Sequence, residues 1–383
     1  MTPRILFLCG SLPPGRDGVG DYTRALAAEL TALGCDTFAV ATHDRRVTEV
    51  VTEQQPQGGT EITVLRIPYA TPNQLRLTLL QRLIDDLRPD YLSLQYVPYS
   101  FSNRGLPLPF ALTLSRLRFS GRWHVMFHEL WLEHRGLLTP KDTLIAGLQQ
   151  LTVLLLHRRL RPDALHTHVP AYRDRLNALG LDPKPLPLFA NIAPAGPARM
   201  EHDATTFRLG FFSQMQMKPG VVEFITDLHE HLRTRQRKLE IRLIGGGKAS
   251  VATARETLSA RLPEATIMAT GFLSAERVSE ELAALDLGIS PVKYHTIGKS
   301  GTVAAFLRHG VPVAAPWVVE DKAGFFNSEL LAAVINRFDA DRLERATQAA
   351  RILDTHAITV AGVATRFSRD LGLPVAAPSP RPS

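Results

Sequence analysis

Short apolar runs of strand length alternate with helix-like segments along most of the chain. The first run, RILFLCG, is followed by a glycine-rich loop and by DYTRALAAELTALG, in which apolar residues recur at helical spacing. Further strand-like runs in the first half are DTFAVAT, EITVLRIPY, YLSLQYV, HVMFHEL, ALHTHV and PLPLFA. Alternation of this kind requires crossover connections, so it predicts an α/β fold with parallel sheets covered by helices on both faces.

The alternation breaks once, in NIAPAGPARMEHDATT, which is rich in Pro, Ala and polar residues. It then resumes with strands predicted for FRLGFFS, LEIRLIGGG, ATIMATGF, DLGISPV and VPVAA, and with helices predicted for SELLAAVINRF, DRLERATQAARIL and AITVAGVATRFSRDL. A chain of 383 residues exceeds what one core usually supports. We therefore predict two Rossmann-like domains, over residues 1–192 and 207–372, a linker over 193–206 and a disordered tail over 373–383. Ligands are expected in a cleft where the carboxyl ends of both sheets face each other.

Composition narrows the class of protein. The chain is 45% hydrophobic and 21% charged, as in ordinary globular proteins, and its formal charge of +7 comes from scattered arginines without an aromatic-studded basic motif. A nucleic-acid partner is therefore not expected. Cys9 and Cys35 lie in or beside apolar runs and are too few for a disulfide framework or a zinc site, which favours reduced core thiols in the cytoplasm.

No segment predicts a membrane span. RILFLCG is too short for a signal-peptide core, and the most apolar later segment, Leu144–Leu160, is broken by Gln149 and Gln150 and is too short to cross a bilayer. We interpret this segment as a buried helix. Its basic end allows peripheral contact with anionic lipid at the inner face of the membrane.

A turn that leads into a helix near residue 300 is a candidate anion site. It carries Lys299, Ser300, Gly301 and Thr302, and bare helix N-termini with small residues bind anions. The interpretation as an ATP-binding P-loop loses its main support, because Lys293 stands where that motif needs its first glycine.

The glycine-rich loop after the first strand is a second candidate. Gly18 and Gly20 allow a phosphate or sugar to approach the backbone, and Asp21 is the predicted N-cap of the following helix. The spacing is not that of the dinucleotide fingerprint, and Asp44 is a weak candidate for the acidic ribose ligand.

Two further side chains follow predicted strands. Lys218, in the MKPG turn, is placed to reach a diphosphate, and His128 stands at the carboxyl end of HVMFHEL, where substrate contacts occur. A zinc-protease motif is excluded because His134 comes six residues after His128 rather than four. His166 and His168 are interpreted as structural.

Taken in order, these loops resemble the GT-B glycosyltransferases, particularly the retaining family 4 group, over nearly the whole chain. The segments that carry the resemblance are PPGRDGVGDYTRALAAEL, FHEL, HTHVPAYRDRL with LFANIAP, MKPGVVEFI and GTVAAFLRHGVPVAA. The resemblance implies transfer of a sugar from a nucleotide-diphosphate sugar to a hydroxyl of a saccharide, lipid-linked or small-molecule acceptor. It implies retention of configuration and no metal or other cofactor.

The resemblance also implies roles for individual residues. On the donor side they are Gly18 and Gly20 at the diphosphate or sugar, His128 at the sugar, Lys218 and Lys299 at the diphosphate, Gly271 and Phe272 at the nucleobase, and Ser300, Gly301 and Thr302 at the distal phosphate. The acceptor is expected on the N-terminal domain. Its candidate residues, Asp21, Gln95, Tyr96 and Tyr99, are chosen from the sequence, because aromatic and amide side chains stack on sugars and hydrogen-bond to them.

The chain departs from that family in the donor motif. Ile297 and Ala305 stand where two glutamates are usual, Ser213 replaces an arginine, and Pro219 interrupts the Lys-Gly pair. Alternatives therefore remain: a catalytically weak or inactive nucleotide-sugar-binding protein, an NAD-dependent oxidoreductase, or a nucleotide-sugar epimerase.

Overall fold

A computed structural model describes residues 2–132, 139–196, 204–320 and 322–374. His134, half of the predicted linker and most of the predicted tail lie outside the described residues. The strands are β1 Arg4–Cys9, β2 Asp36–Asp44, β3 Val51–Gln57, β4 Thr60–Pro68, β5 Tyr91–Tyr96, β6 Arg122–Phe127, β7 Ala164–Thr167, β8 Lys184–Pro185, β9 Thr206–Phe212, β10 Lys238–Ile244, β11 Thr266–Gly271, β12 Leu287–Ile289, β13 Val313–Ala314 and β14 Val334–Ile335.

The helices lie between these strands, as the alternation predicts. They are α1 Gly18–Ala32, α2 Asn73–Leu87, α3 Pro98–Phe101, α4 Leu108–Leu114, α5 Pro140–Leu160, α6 Pro170–Asn177, α7 Val221–Thr234, α8 Lys248–Arg261, α9 Ala275–Ala283, α10 Gly301–Arg308, α11 Ser328–Ala332, α12 Ala340–Ile352 and α13 Val360–Leu371, with short 3₁₀ turns at Tyr294–Lys299 and His356–Ile358.

Contacts within the chain divide it into two compact units. The first contains Met1–Thr167, Arg175–Leu186 and the C-terminal segment from Val360, and the second contains His168–Asp174 and Pro187–Thr359. The predicted division instead placed α13 in the C-terminal domain. The hydroxyl of Tyr91 donates to the carbonyl of Leu371 over 2.6 Å, and Phe367 lies 6.1 Å from the ring of Phe7, so α13 packs on the first sheet. Such long-range packing has no signature in local periodicity.

The first unit is built on an eight-stranded sheet in the order β3-β4-β2-β1-β5-β6-β7-β8. Its strands are parallel except β3, which pairs with β4 in the antiparallel direction. The central strand β1 is buried from Ile5 to Cys9, as a near-continuous apolar strand covered on both faces should be. The antiparallel edge strand, VTEQQPQ, was not predicted, because its polar composition resembles a loop.

The second unit has a six-stranded, all-parallel sheet in the order β11-β10-β9-β12-β13-β14. Helices α7 and α8 contribute buried leucines, such as Leu228 and Leu258, to one core cluster, and α10 contributes Phe306 to another. The sequence predicted one helix over SELLAAVINRF, but α11 ends at Ala332 and the next residues form β14. That part of the prediction was wrong, because β14 is a two-residue strand whose backbone pairs with β13.

Candidate functional site

In the first unit, the loop between β1 and α1 uses its two candidate glycines differently. A side chain at Gly18 would enter open space, whereas a Cβ at Gly20 would lie 2.5 Å from the carbonyl oxygen of Ser11. Gly20 is therefore required for close packing of the loop on itself. Gly18 is exposed and leaves the backbone open to a ligand.

The start of α1 corrects one prediction. Asp17, rather than Asp21, is the N-cap, and its carboxylate accepts the N–H of Gly20 over 2.7 Å. Asp21 lies in the first turn, where it accepts the N–H of Gly15 over 2.9 Å and pairs with Arg24. The placement of a carboxylate here suits the positive end of the helix dipole.

A continuous series of hydrogen bonds, here called the histidine chain, crosses one face of the first sheet. It links α13 to the end of β6 through buried polar side chains on β5, β6 and β7. The successive distances are 3.2 Å from Asp370 Oδ2 to His166 Nε2, 2.9 Å from His166 Nδ1 to His124 Nε2, 2.7 Å from His124 Nδ1 to Ser93 Oγ, 2.8 Å from Ser93 Oγ to Gln95 Nε2, and 2.9 Å from Gln95 Oε1 to His128 Nε2.

The register of the sheet brings these side chains together. Ser93 pairs with His124, and His166 pairs with the residue two after His124, so all project from the same face of the pleat. Phe367 of α13 covers that face, with its ring 4.9 Å from that of His124. Each polar group is thereby buried with a partner, as a stable core requires.

The direction of every hydrogen bond in the histidine chain follows from its carboxylate end. The Asp370 carboxylate accepts, so His166 donates from Nε2 and, being neutral, accepts at Nδ1. His124 must then donate from Nε2 and accept at Nδ1 from the hydroxyl of Ser93, which in turn accepts from the Gln95 amide. The oxygen of that amide is left to accept from His128 Nε2, so the chain fixes the tautomer of His128.

A second contact fixes the plane of the same imidazole. The ring of Tyr22, near the start of α1, meets the ring of His128 edge-on at 4.9 Å and 80°. The backbone N–H of His128 donates to Tyr96 over 3.1 Å. His128 is therefore held in both tautomer and orientation next to the helix that follows the glycine-rich loop.

Burial keeps the histidine chain uncharged. It lowers the pKa of His124 well below the ordinary value, with a smaller contribution from His166, and it also lowers the pKa of His166. Burial alone would raise the pKa of the Asp370 carboxyl, but its hydrogen bond with His166 and the charges of Lys184 and Arg366 lower it. A carboxylate joined to neutral imidazoles is the resulting state at neutral pH.

These shifts predict loss of stability on mild acidification. His43, whose pKa burial lowers to about 3, adds to the effect of His124 and His166. Below pH 6.5 these histidines bind protons in the unfolded chain, whereas in the folded chain their imidazoles stay neutral. The free energy of unfolding should therefore fall from pH 7 towards pH 5, with a slope of up to about 1.4 kcal/mol per pH unit for each histidine.

Urea denaturation at pH 5, 6 and 7 measures this slope. A His43→Phe variant, which keeps an aromatic ring beside Phe101 and Phe110, should show a smaller slope than the wild type. Equal unfolding free energies across this range would contradict the assignment of neutral buried histidines.

The predicted acceptor-side residues occupy different environments. Gln95 is 1% exposed and its amide belongs to the histidine chain, and Tyr96 is equally buried, against Phe127. Tyr99 is 40% exposed. The structure therefore leaves Tyr99 accessible and gives Gln95 a role behind His128.

Asp44, the weak candidate for a dinucleotide ribose ligand, is fully buried. Its carboxylate accepts from Arg66 over 2.8 Å and from the N–H groups of Leu12 and Arg46, and these bonds lower its pKa against the opposing effect of burial. Asp44 therefore anchors the loop and does not offer a carboxylate to a ribose.

In the second unit, the candidate anion site lies at the carboxyl edge of the sheet. Ser300 is the N-cap of α10, with its hydroxyl accepting the N–H of Val303, and the hydroxyl of Thr302 reaches the carbonyl of Phe212 at the end of β9 over 3.5 Å. Among the described residues no acceptor is bonded to the N–H groups of Gly301 and Thr302. Two backbone donors at the positive end of a helix are therefore available to an anion.

Lys299 stands directly before this helix start. Its ammonium donates to the hydroxyl of Tyr172 over 2.9 Å and lies 5.2 Å from that ring's centroid. Tyr172 therefore contacts this lysine both as a neutral hydrogen-bond acceptor and through the face of its ring.

Lys218 lies after the same sheet edge, in the loop that follows β9. Its ammonium is 5.3 Å from the ring centroid of Trp317, and that of Lys293 is 5.6 Å from the same ring. Gly220 closes the loop with φ 83°, and a Cβ there would lie 2.5 Å from the carbonyl oxygen of Pro316. Lys218, Lys293 and Trp317 follow the neighbouring strands β9, β12 and β13, so cations gather at one edge of the sheet.

The two positions that depart most from the family pattern are part of the core. Ile297 and Ala305 are 0% and 1% exposed and pack in the cluster around Phe306. The described geometry thus offers apolar contacts where the resemblance would place carboxylates. Gly271, with φ 68°, and Phe272, which is 84% exposed, end β11 on the surface.

Sequence reasoning missed several residues of this arrangement. Strand register and the packing of α13 bring Ser93, His124 and Asp370 into the histidine chain. Tyr172 was missed because its contact with Lys299 depends on the fold. The available signal was the spacing of polar residues at alternate positions in YLSLQYV and at His124 and His128 in the next strand. Polar residues at alternate positions of a strand that is otherwise apolar indicate a buried polar network.

Comparisons with known proteins identify the fold. No protein-family model matches the chain, and no curated protein matches its sequence. Sucrose-phosphate synthase from Thermosynechococcus elongatus is similar at 15% identity, with 97% of this chain and 95% of that chain covered and a TM-score of 0.59. HepE of Anabaena in complex with UDP and glucose is similar at 14% identity, with 96% and 99% covered and a TM-score of 0.60. A UDP-GlcNAc 2-epimerase from Neisseria meningitidis bound to UDP-GlcNAc is similar at 10% identity, with 96% and 99% covered and a TM-score of 0.51.

At these identities the likeness establishes the fold. The chain has two parallel-sheet Rossmann-like domains of the GT-B type, which confirms the predicted fold class. Within the described residues, no helix is long and apolar enough to cross a membrane. The helix α5, interpreted from sequence as buried, leaves Leu144 64% and Leu151 51% exposed.

Proposed function

We propose that the protein transfers a sugar from a nucleotide-diphosphate sugar to an acceptor hydroxyl. The observation that carries this proposal is the pair of available N–H donors at Gly301 and Thr302, at the start of α10, with Lys299 beside them. The solved neighbours that contain UDP or a UDP-sugar support it by analogy of fold.

The chemistry of this site suits departure of a diphosphate. Negative charge grows on the leaving group in the transition state, and preorganised donors that are already in place stabilise it without reorganisation. The N–H groups at the helix start are such donors, and the ammonium groups of Lys299, Lys218 and Lys293 lie on neighbouring loops of the same unit. Retention of configuration and independence of metal are part of the proposal because the family resemblance implies them.

His128 has a complementary role in the proposal. Its tautomer is fixed by Gln95 and its ring by Tyr22, near the loop in which Gly18 leaves the backbone open. A rigid imidazole can hold a sugar hydroxyl in one orientation, and holding reacting groups in place lowers the barrier.

A second candidate function is binding of a nucleotide-sugar without turnover. It is favoured by the burial of Ile297 and Ala305 in the core, because the site then lacks the carboxylates usual in the family. Release of free nucleoside diphosphate from a panel of nucleotide-sugars, in the presence of candidate acceptors, distinguishes the two. Turnover supports the transferase, and binding without turnover supports the second candidate.

Nucleotide binding itself is tested by ligand-induced changes in melting temperature. At least one of UDP, GDP and ADP should raise the melting temperature. A ligand present at 100 times its Kd adds about 2.7 kcal/mol to the free energy of unfolding. NAD should have no comparable effect, because Asp44 is committed to Arg66. Stabilisation by NAD and by none of the diphosphates would overturn the proposal in favour of an oxidoreductase.

A further inference from the structure

A separate cavity lies in the first unit, next to the carboxyl ends of β2 and β4. Its volume is about 290 Å³, enough for a small ligand. It shares no lining residue with the glycine-rich loop or with the histidine chain. The lining residues used below are His43, Tyr69, Asn73, Arg76, Phe101 and Phe110.

One wall of the cavity is aromatic. The rings of Phe101 and Phe110 stack at 4.7 Å and 24°, and His43 meets Phe110 edge-on, also at 4.7 Å. Burial, followed by the charges of Arg76 and Arg45, lowers the pKa of His43 to about 3, so that this ring is neutral. These rings are 4 to 5% exposed, so a sugar or another ring in the cavity would contact their accessible edges.

The floor of the cavity contains a buried cation with neutral partners. Arg76 is 2% exposed, and its guanidinium donates to the carbonyl oxygens of Thr42, Pro68 and Tyr69 and to Asn73 Oδ1, over 2.7 to 3.3 Å. No carboxylate among the described residues forms a salt bridge with it. Burial lowers its pKa to about 10, which still leaves it charged at neutral pH.

The helix that carries Arg76 adds to the positive potential. Asn73 and Arg76 lie in the first turns of α2, whose N-cap, Pro72, provides no side-chain cap, and whose first turn has no acidic residue. The positive end of the helix dipole and the guanidinium therefore reinforce each other. Arg45 lies 4.5 Å from the centroid of the Tyr69 ring and has neutral hydrogen-bond acceptors as well.

The guanidinium of Arg76 is balanced by carbonyl and amide dipoles and by no carboxylate among the described residues, so its charge attracts an anion. Arg76 and the start of α2, at Pro72 and Asn73, line the same cavity. We propose that this cavity binds an oxyanion group, a phosphate or a carboxylate, carried by a sugar or similar ring that packs on His43 and Phe110. The binding of an anion in this cavity does not depend on the proposed function. Its use as the acceptor site, which would make the acceptor an acidic or phosphorylated sugar, rests on the proposed function.

An Asn73→Asp variant tests the proposal, because it places an isosteric carboxylate where the amide accepts from Arg76 over 2.9 Å. The variant should melt at a higher temperature than the wild type without ligand. Wild-type protein should be stabilised by inorganic phosphate, glucose 6-phosphate or glucuronate and not by glucose. In the variant, affinity for the stabilising anion should fall at least tenfold.

Gln74→Glu is the matched control, since it adds the same charge to the next, exposed position of α2 outside the cavity. It should keep the anion-dependent stabilisation. A rise in melting temperature with the phosphate compounds alone indicates that the ligand bears a phosphate. A rise with glucuronate alone indicates a carboxylate, and a rise with both indicates a site for oxyanions in general.

Two results would overturn this inference. One is the absence of stabilisation of the wild type by any of the three anions. The other is a shift that survives Asn73→Asp and disappears when the α10 N–H donor of Gly301 is removed, which would assign the anion to the second unit. Stabilisation by nucleoside diphosphate should be unchanged in Asn73→Asp, so failure of this inference and failure of the proposed function give different results.

Discussion

A Gly301→Pro variant is expected to bind its nucleoside diphosphate ten- to hundredfold more weakly than the wild type, with its own stability preserved. Proline suits the first position of a helix, because its fixed φ matches the helix and the N–H that it lacks has no partner within the helix. The preceding residue, Ser300, has φ −102° and ψ 112°, the extended conformation that a following proline prefers. The substitution thus removes one donor to the anion, and a hydrogen bond to a charged group contributes about 1.5 to 3 kcal/mol.

Isothermal titration with the diphosphate that stabilises the wild type measures this change. Gly301→Ala is the matched control: it keeps the N–H, and its Cβ meets no atom closer than 4.0 Å, on Leu188. The alanine variant should bind as the wild type does. Equal affinities of the proline and alanine variants would show that the start of α10 does not hold the diphosphate.

A His124→Phe variant is expected to lower the free energy of unfolding by about 2 to 6 kcal/mol. The substitution leaves the hydroxyl of Ser93 without its acceptor and Nδ1 of His166 without its donor, and both groups are buried. Each unsatisfied buried group costs about 1 to 3 kcal/mol. The phenylalanine ring keeps the volume and the contact with Phe367, so a cavity does not account for the loss.

Urea denaturation measures this effect. Asp370→Asn is a milder control, because an amide oxygen still accepts from His166, and it should cost less than His124→Phe. Adding Ser93→Ala to His124→Phe should not recover the loss, because it removes one orphaned hydroxyl and leaves the buried Gln95 amide N–H without its acceptor. A His124→Phe variant as stable as the wild type would show that the histidine chain does not contribute to folding.

The histidine chain also sets the protonation of His128, the candidate sugar contact. His128 lies at the carboxyl end of its strand, as the sequence predicted, but what sets its tautomer is Gln95, on the neighbouring strand. Residues far along the sequence therefore control which nitrogen of the candidate sugar-binding imidazole carries the proton. An enzyme gains from such preorganisation because the geometry is set before substrate arrives.

The α/β architecture was predictable because it follows from periodicity, which is a local property. Runs such as RILFLCG and DYTRALAAELTALG carry the strand and helix patterns on their own, and the structure has β1 and α1 there. The helix start at Ser300 was likewise predictable from small residues before an apolar segment. The polar strand β3 was not predicted, because an edge strand forms by pairing with its neighbour and does not need an apolar periodicity.

The sequence by itself thus determined the class of fold, the candidate anion site and the position of His128 at a strand end. The tertiary structure decided that α13 joins the first unit, that Asp370 ends a hydrogen-bonded series reaching His128, and that Arg76 is buried beside a cavity without a carboxylate. The physical reason is that secondary structure depends on neighbours along the chain. Charge compensation, tautomers and cavities depend instead on groups that become neighbours only when distant segments pack together.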